Sequence, residues 1–87
     1  MINQKLEREA LELMAEHLEI PIIQLDTQRA KTFAEFGASE LKEIELQFIL
    51  ADRFNYQAPD DRELRILSRL YQTLAYIQLN AEKRPSK

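Results

Sequence analysis

Apolar residues recur at intervals of three and four along most of this chain, which is the spacing of one face of an α-helix. The first such stripe consists of Leu6, Ala10, Leu13, Met14 and Leu18. It predicts a first helix over about Asn3 to Leu18. Pro21 lacks a backbone N–H and disfavours helical geometry at Ile20, so we expect the helix to end before it.

A long first loop is predicted from there to about Ala38. Loops of this length are usually held by their own apolar side chains. The candidates are Ile20, Ile22, Ile23, Leu25, Phe33 and Phe36. Gly37, the only glycine in the chain, directly precedes a helical pattern and predicts a backbone conformation that a Cβ would obstruct. Ser39 follows as the predicted N-cap of the next helix.

Three further helices are predicted after Ser39. The second carries two adjoining apolar lines, a width that implies contacts on two sides. These lines are Leu41, Ile44, Phe48 and Ala51, and Leu46, Leu50 and Phe54. A short third helix is expected from Asp60 to Leu67. Ser68 is the predicted cap of a fourth helix with the apolar set Leu70, Leu74, Ile77 and Ala81. The predicted class is therefore all-α, a four-helix bundle with a long first loop.

Composition predicts one domain that neither binds nucleic acid nor inserts into a membrane. The 87 residues are 45% hydrophobic, enough for one core, which we place at residues 1–82 with a flexible polar tail at 83–87. The formal net charge of -3 disfavours nucleic-acid binding. The N-terminus becomes charged too early for a signal peptide, and no apolar run is long enough to cross a bilayer. With no cysteines in the chain, we expect a cytoplasmic protein.

The stretch 33–46 reads FAEFGASELKEIEL and resembles the acyl carrier protein signature, in which Leu-Gly-Ala-Asp-Ser-Leu opens helix two. Phe54, Ala58-Pro59-Asp60 and Leu74-Ala75-Tyr76-Ile77 look like further family landmarks: the Phe ending that helix, the Ile-Pro-Asp turn and the end of helix four. The similarity covers nearly the whole chain, although the first loop is longer here. The resemblance implies an acyl-carrier-protein-like four-helix fold.

In that family the serine that begins helix two carries 4'-phosphopantetheine, whose thiol holds an acyl group. Alignment at Gly37 and Leu41 puts Ser39 at the family's Asp and Glu40 at its modified Ser. A carboxylate cannot form the phosphodiester, so the resemblance implies a carrier fold without its arm. The alternative is a working carrier modified at Ser39, or at position 40 if a parent sequence had serine there. Glu40 also has a simpler interpretation as an acid that suits the helix dipole.

The family's helix two presents acids to basic patches on partner enzymes. Here Glu43, Glu45 and Asp52 are mixed with Lys42 and Arg53, a pattern also typical of a merely solvated face. The resemblance implies a monomer that docks on a ketosynthase, an acyltransferase or another carrier-protein-dependent enzyme of lipid or polyketide biosynthesis. The predicted interface consists of Glu40, Leu41, Lys42, Ile44, Glu45 and Phe48, with Leu41 expected to be the most exposed of its apolar members.

The three arginines after the turn are predicted to pair with the neighbouring acids. The arginines are Arg62, Arg65 and Arg69, and the acids are Asp60, Asp61 and Glu63. Alternatively, the arginines form an exposed basic stripe that contacts an acidic partner or an anion.

No catalytic or metal site is predicted. His17, the only histidine, is expected to be structural, because a positive charge is favourable at the end of helix one. With no cysteine and no nucleophile-base arrangement, an enzyme would depend on carboxylates that nothing in the sequence brings together. We therefore expect a non-enzymatic protein.

Overall fold

The computed structural model describes residues 3–83, which form five helices and no β-strand. The helices are α1 (Gln4–Leu18), α2 (Ile22–Thr27), α3 (Glu40–Arg53), α4 (Asp61–Ile66) and α5 (Leu70–Asn80). The predicted all-α class is confirmed for this part of the chain. The flexible tail predicted at 83–87 lies outside the described residues, apart from Lys83.

Helix α1 begins and ends where the sequence indicated. The Asn3 side chain accepts a hydrogen bond from the Leu6 N–H at 3.0 Å, which satisfies one of the free donors of the first turn. Glu19 then adopts a left-handed conformation at φ 58°, and Pro21 follows. His17 lies in the last turn, as predicted.

The predicted long first loop is wrong in one respect, because it contains helix α2. Pro21 has φ -62° and stands as the N-cap of this helix, so the residue taken as the end of one helix also starts the next. Leu25 is completely buried, whereas Ile23 is exposed. A helix of six residues is too short to show an apolar period, which is why the sequence pattern did not reveal it.

The segment between α2 and α3, residues 28–39, is anchored to the junction between α4 and α5. The Phe33 N–H donates to the Ser68 carbonyl at 3.0 Å, and the Leu70 N–H donates to the Lys31 carbonyl at 3.1 Å. An isolated antiparallel bridge lies between these two bonds. Phe33 is buried, as predicted from its position in the loop. The backbone that leads into α3 is thus hydrogen-bonded to the junction between α4 and α5.

Helix α3 is less completely buried than its wide apolar arc implied. Leu46, Leu50 and Ala51 are buried, whereas Leu41 and Phe48 remain exposed. The predicted contacts on two sides therefore exist for only part of the arc. The rest of its apolar surface faces solvent.

Helices α4 and α5 follow the predicted third and fourth helices, with one correction at their junction. Asp60 is the N-cap of α4 and forms a reciprocal capping box with Glu63. Ser68 does not cap α5, because that helix begins one residue later, after Arg69, and has no side-chain cap. The Ser68 carbonyl instead accepts the bond from Phe33.

One hydrophobic core joins α1, α2, α3, α5 and the 28–39 segment. Its buried members are Ala10, Leu11, Met14, Leu18, Leu25, Phe33, Phe36, Leu46, Leu50, Ala51, Phe54, Tyr56, Leu70, Leu74 and Ile77. Among the described residues, no helix combines the length and the apolar character that crossing a membrane requires.

Candidate functional site

The junction that opens α3 is built by one glycine and one cap. Gly37 has φ +93°, so the backbone turns in a region that L side chains rarely adopt. No atom lies within 4 Å of the position that a Cβ would take, so the requirement for glycine is conformational rather than steric. Ser39 confirms the predicted cap, since its Oγ accepts from the Lys42 N–H at 3.2 Å. Glu40 is then the first residue of the helix.

These positions do not fit a phosphopantetheine arm in the usual way. Glu40 is exposed at the start of α3, but its carboxylate offers no hydroxyl for a phosphodiester. Ser39 has the hydroxyl, yet it lies outside the helix in an extended conformation and caps the first turn. Because Ser39 is extended and Glu40 already belongs to the helix, the two side chains occupy different backbone environments at the junction.

The solvent side of α3, which we call the α3 face, consists of Leu41, Glu45, Phe48, Ile49 and Asp52. Their spacing places them on adjoining rows of one helix surface. Leu41 is 67% exposed and Phe48 is 48% exposed, which is high for large apolar side chains. The sequence prediction included Leu41, Glu45 and Phe48 but missed Ile49, because an apolar residue beside a buried row is usually assigned to the core.

The other predicted interface residues lie at the margins of this face. Lys42 is half-buried, and its Nζ lies 3.9 Å from the Glu19 carboxylate, an exposed pair that contributes little. Ile44 is half-buried on the side of α3 that turns toward α4. The predicted interface is thus divided between the α3 face and a neighbouring depression.

That depression is a cleft of about 540 Å³ between α3, α4 and the 28–39 segment. We call it the α3–α4 cleft. It is lined by Ala34, Ala38, Glu40, Glu43, Ile44, Gln47, Asp61, Leu64, Arg65, Leu67 and Ser68. The sequence did not indicate this cleft, because its walls come from three segments that are far apart in the chain.

Gln47 is the polar residue at the bottom of the cleft, with only 2% of its surface exposed. Its Nε2 donates to the Thr73 hydroxyl at 3.0 Å. That hydroxyl in turn donates to the Leu67 carbonyl at 3.0 Å. Because the Thr73 proton is already used, Thr73 can only accept from Gln47, and this fixes the orientation of the amide. The Gln47 Oε1 is left buried without a hydrogen-bond partner among the described residues.

The charges around the cleft are mainly negative. It carries the carboxylates of Glu40, Glu43 and Asp61 against the single guanidinium of Arg65. Burial raises the pKa of the half-buried Glu43, the backbone of Ala34 opposes that rise, and the charge of Glu40 adds to it. None of these four charged groups forms an ion pair within residues 3–83. The cleft therefore carries an excess of carboxylates outside any ion pair within residues 3–83. The Gln47 Oε1 itself has almost no accessible surface.

The predicted pairing of the three arginines with the neighbouring acids is wrong. Within residues 3–83, Arg62, Arg65 and Arg69 are all exposed and form no ion pair. The Glu63 carboxylate accepts from the Asp60 N–H at 3.0 Å and from the Tyr76 hydroxyl at 2.9 Å, and the Asp60 side chain accepts from the Glu63 N–H at 2.9 Å. Arg69 donates instead to a backbone carbonyl of the 28–39 segment at 2.7 Å. The exposed basic stripe remains an open alternative.

Within the described residues, no group of three or more His, Cys, Asp or Glu side chains is arranged to hold a metal ion. No family model, no curated protein and no solved structure matches the chain.

Proposed function

We propose that this protein is a non-catalytic, acyl-carrier-protein-like domain that docks through the α3 face on an enzyme of lipid or polyketide biosynthesis. It acts without a phosphopantetheine arm, as a cytoplasmic monomer, in a four-helix arrangement of the carrier type to which α2 is added. The partner is a ketosynthase, an acyltransferase or another enzyme that recognises carrier proteins.

The observation that carries this proposal is the exposed apolar pair Leu41 and Phe48 beside the position of the family's modified serine. Leu41 and Phe48 lie seven residues apart, two turns along the same side of the helix. Glu45 and Asp52 flank them, so the surface combines an apolar centre with acidic edges. Exposed apolar surface rimmed by charge is typical of a protein-binding site.

Docking is tested by measuring the affinity of the full chain for purified ketosynthases and acyltransferases. The double variant Leu41→Ser/Phe48→Ser removes the apolar centre, and we expect binding to weaken at least about tenfold, as for central interface residues. Leu79→Ser is the matched control, because Leu79 is also 67% exposed but lies on α5. Equal losses in the control and the double variant, or no binding by the unmodified chain, would argue against this surface.

The absence of the arm is tested separately by incubating the protein with a phosphopantetheinyl transferase and coenzyme A. Mass spectrometry should find no mass gain on the natural chain and a gain of one arm on Glu40→Ser, if the junction has the family's form. Ser39→Ala in both backgrounds locates the modified hydroxyl. A gain on the natural chain that Ser39→Ala abolishes would establish the alternative, a working carrier modified at Ser39. No gain on Glu40→Ser would contradict the family assignment.

A further inference from the structure

We propose that the outer surface of α4 binds a short acidic segment of another protein that carries one large apolar side chain. We call this surface the α4 patch, and it consists of Arg62, Arg65, Ile66 and Arg69, all of them exposed. The proposal is independent of docking through the α3 face, because it concerns a different helix and a ligand with acidic groups.

The α4 patch is contiguous on the helix. Successive helical residues are about 100° apart, so Arg65, Arg62 and Ile66 fall within one arc of about 100° around α4. Arg69 follows three residues after Ile66, and its guanidinium is held by a hydrogen bond to the Ala30 carbonyl at 2.7 Å. The surface therefore presents two arginines and one isoleucine on the helix, with a third arginine anchored close by in the chain.

The acids nearest in the sequence do not neutralise these arginines. The Glu63 carboxylate accepts from the Tyr76 hydroxyl at 2.9 Å and from the Asp60 N–H at 3.0 Å. Asp61 lines the α3–α4 cleft and forms no ion pair with Arg65 in the part of the chain that the structure describes. The guanidinium groups therefore remain available to carboxylates of another molecule, which they can bind by two hydrogen bonds at once.

The neighbouring acids limit how far the ligand can extend. The α3–α4 cleft adjoins Arg65 and carries Glu40, Glu43 and Asp61. A nucleic acid or an anionic membrane would reach beyond the arginines and meet these carboxylates, and the formal net charge of the chain is -3. Charges more than about 8 Å apart are largely screened at physiological salt, so a short segment responds mainly to the groups that it touches. A short acidic segment therefore fits this surface better than an extended polyanion.

Ile66 indicates that the ligand is a polypeptide and not a free anion. Its side chain is 60% exposed, although it is large and apolar. A small carboxylate or inorganic phosphate offers no apolar surface to cover it. A leucine between acidic residues covers it while the flanking carboxylates reach the arginines. Arginine combined with an apolar centre is also typical of protein-binding surfaces.

The experiment is a titration of the isotope-labelled full chain, followed by NMR. The probe is the blocked peptide Gly-Glu-Asp-Leu-Asp-Glu-Gly, and we expect it to shift the amide signals of residues 62–69. Two control peptides, one with Gln and Asn in place of the acids and one with Ser in place of Leu, should each bind more weakly. Binding of the probe should also weaken as salt is added, because salt screens exposed charge pairs.

Matched substitutions test the protein side of the contact. Arg62→Gln and Arg65→Gln should each weaken binding about two- to fivefold, as expected for exposed charge pairs. Arg8→Gln removes the same charge from an exposed position on α1 and should leave the affinity unchanged. Ile66→Ser should weaken binding severalfold, and Ile23→Ser is its control, because Ile23 is 63% exposed on α2. None of these side chains is buried, so we expect every variant to fold.

Four results would overturn the proposal. The first is the absence of any shift in residues 62–69. The second is equal binding of the neutral peptide, which would exclude a role for the arginines. The third is an equal loss in Arg8→Gln and Arg62→Gln, which would show only a general effect of net charge. The fourth is a stronger response of the same residues to inorganic phosphate, single-stranded RNA or phosphatidylserine vesicles, which would assign the α4 patch to a phosphate ligand.

Discussion

Gly37 illustrates how a single residue sets the geometry of the proposed docking region. Its φ of +93° changes the direction of the backbone where the 28–39 segment joins α3. The position that a Cβ would take is surrounded by open space. The cost of substitution there comes from the backbone alone. It should therefore depend on how well the new residue tolerates positive φ, not on its size.

We expect Gly37→Ala to lower the free energy of unfolding by about 1–2 kcal/mol, the typical cost of a left-handed conformation for an L residue. Gly37→Asn should lose less, although Asn is larger, because Asn tolerates positive φ better. Urea denaturation of the three proteins measures the difference. A ranking that followed side-chain size would contradict the conformational explanation.

The environment of the Tyr76 hydroxyl predicts how the free energy of unfolding changes at alkaline pH. Its hydroxyl donates to Glu63, and burial together with that carboxylate raises the pKa of Tyr76 to about 12 from 10.0. The folded protein thus holds this proton more tightly than the unfolded chain does. The resulting stabilisation is fully present below about pH 10 and is lost as the pH rises toward about 12.

Tyr76→Phe tests this dependence. At pH 9 the variant should be less stable by about 1 kcal/mol, for the lost hydrogen bond. The difference in the free energy of unfolding between the natural chain and the variant should then decrease as the pH rises from about 10 to about 12. Both proteins retain Tyr56, whose pKa is raised mainly by burial and to a smaller extent by Tyr76, so the larger part of its contribution is common to both. Chemical denaturation at several pH values measures this difference. A difference that stayed constant with pH would contradict the raised pKa of Tyr76.

At the scale of elements, α4 is the helix with the least support from the core. It has six residues, and none of them is buried. The Asp60–Glu63 capping box and the Tyr76–Glu63 hydrogen bond hold it in place. Since α4 forms one wall of the α3–α4 cleft, these polar contacts also maintain the cleft.

Removing the cap should therefore loosen α4 selectively. We expect Asp60→Ala to cost about 1 kcal/mol and to speed amide hydrogen exchange in α4 while exchange in the core of α1 changes little. Asp60→Asn keeps an oxygen acceptor at the cap and should retain most of the protection. Hydrogen exchange followed by mass spectrometry or NMR gives the comparison. Uniform acceleration across the chain would mean that α4 unfolds only together with the rest.

At the scale of the whole molecule, α3 contributes one leucine to the core and presents another to solvent. Leu50 is completely buried, and Leu41 is 67% exposed. The same truncation at the two positions therefore separates stability from binding.

Leu50→Ala should destabilise the fold by about 2–5 kcal/mol, because it removes buried methyl groups and leaves a cavity. Leu41→Ala should change stability by less than about 0.5 kcal/mol. Thermal and urea denaturation measure both changes. A large loss in Leu41→Ala would show that this side chain supports the fold, and it would then be a poor probe of docking.

Much of the fold was predictable because it depends on local chemistry. The three-and-four spacing of apolar residues predicted α1, α3 and α5. Neighbouring residues predicted the cap at Ser39, the acids at the start of α4 and the turn at Gly37. Each depends on backbone hydrogen bonds or dihedral angles within a few positions. The short α2 was missed because six residues show no period, and Ser68 has the chemistry of a cap but is held by Phe33 from a distant segment.

The sequence by itself determined where most helices begin and end, since capping, dihedral angles and spacing act over one or two turns. Tertiary structure decided which part of the wide apolar arc of α3 stays exposed, because that depends on which elements reach it. It also decided that Glu63 pairs with the Asp60 backbone and Tyr76 rather than with an arginine. The α3–α4 cleft exists only after three distant segments meet around Gln47, so no local pattern predicted it.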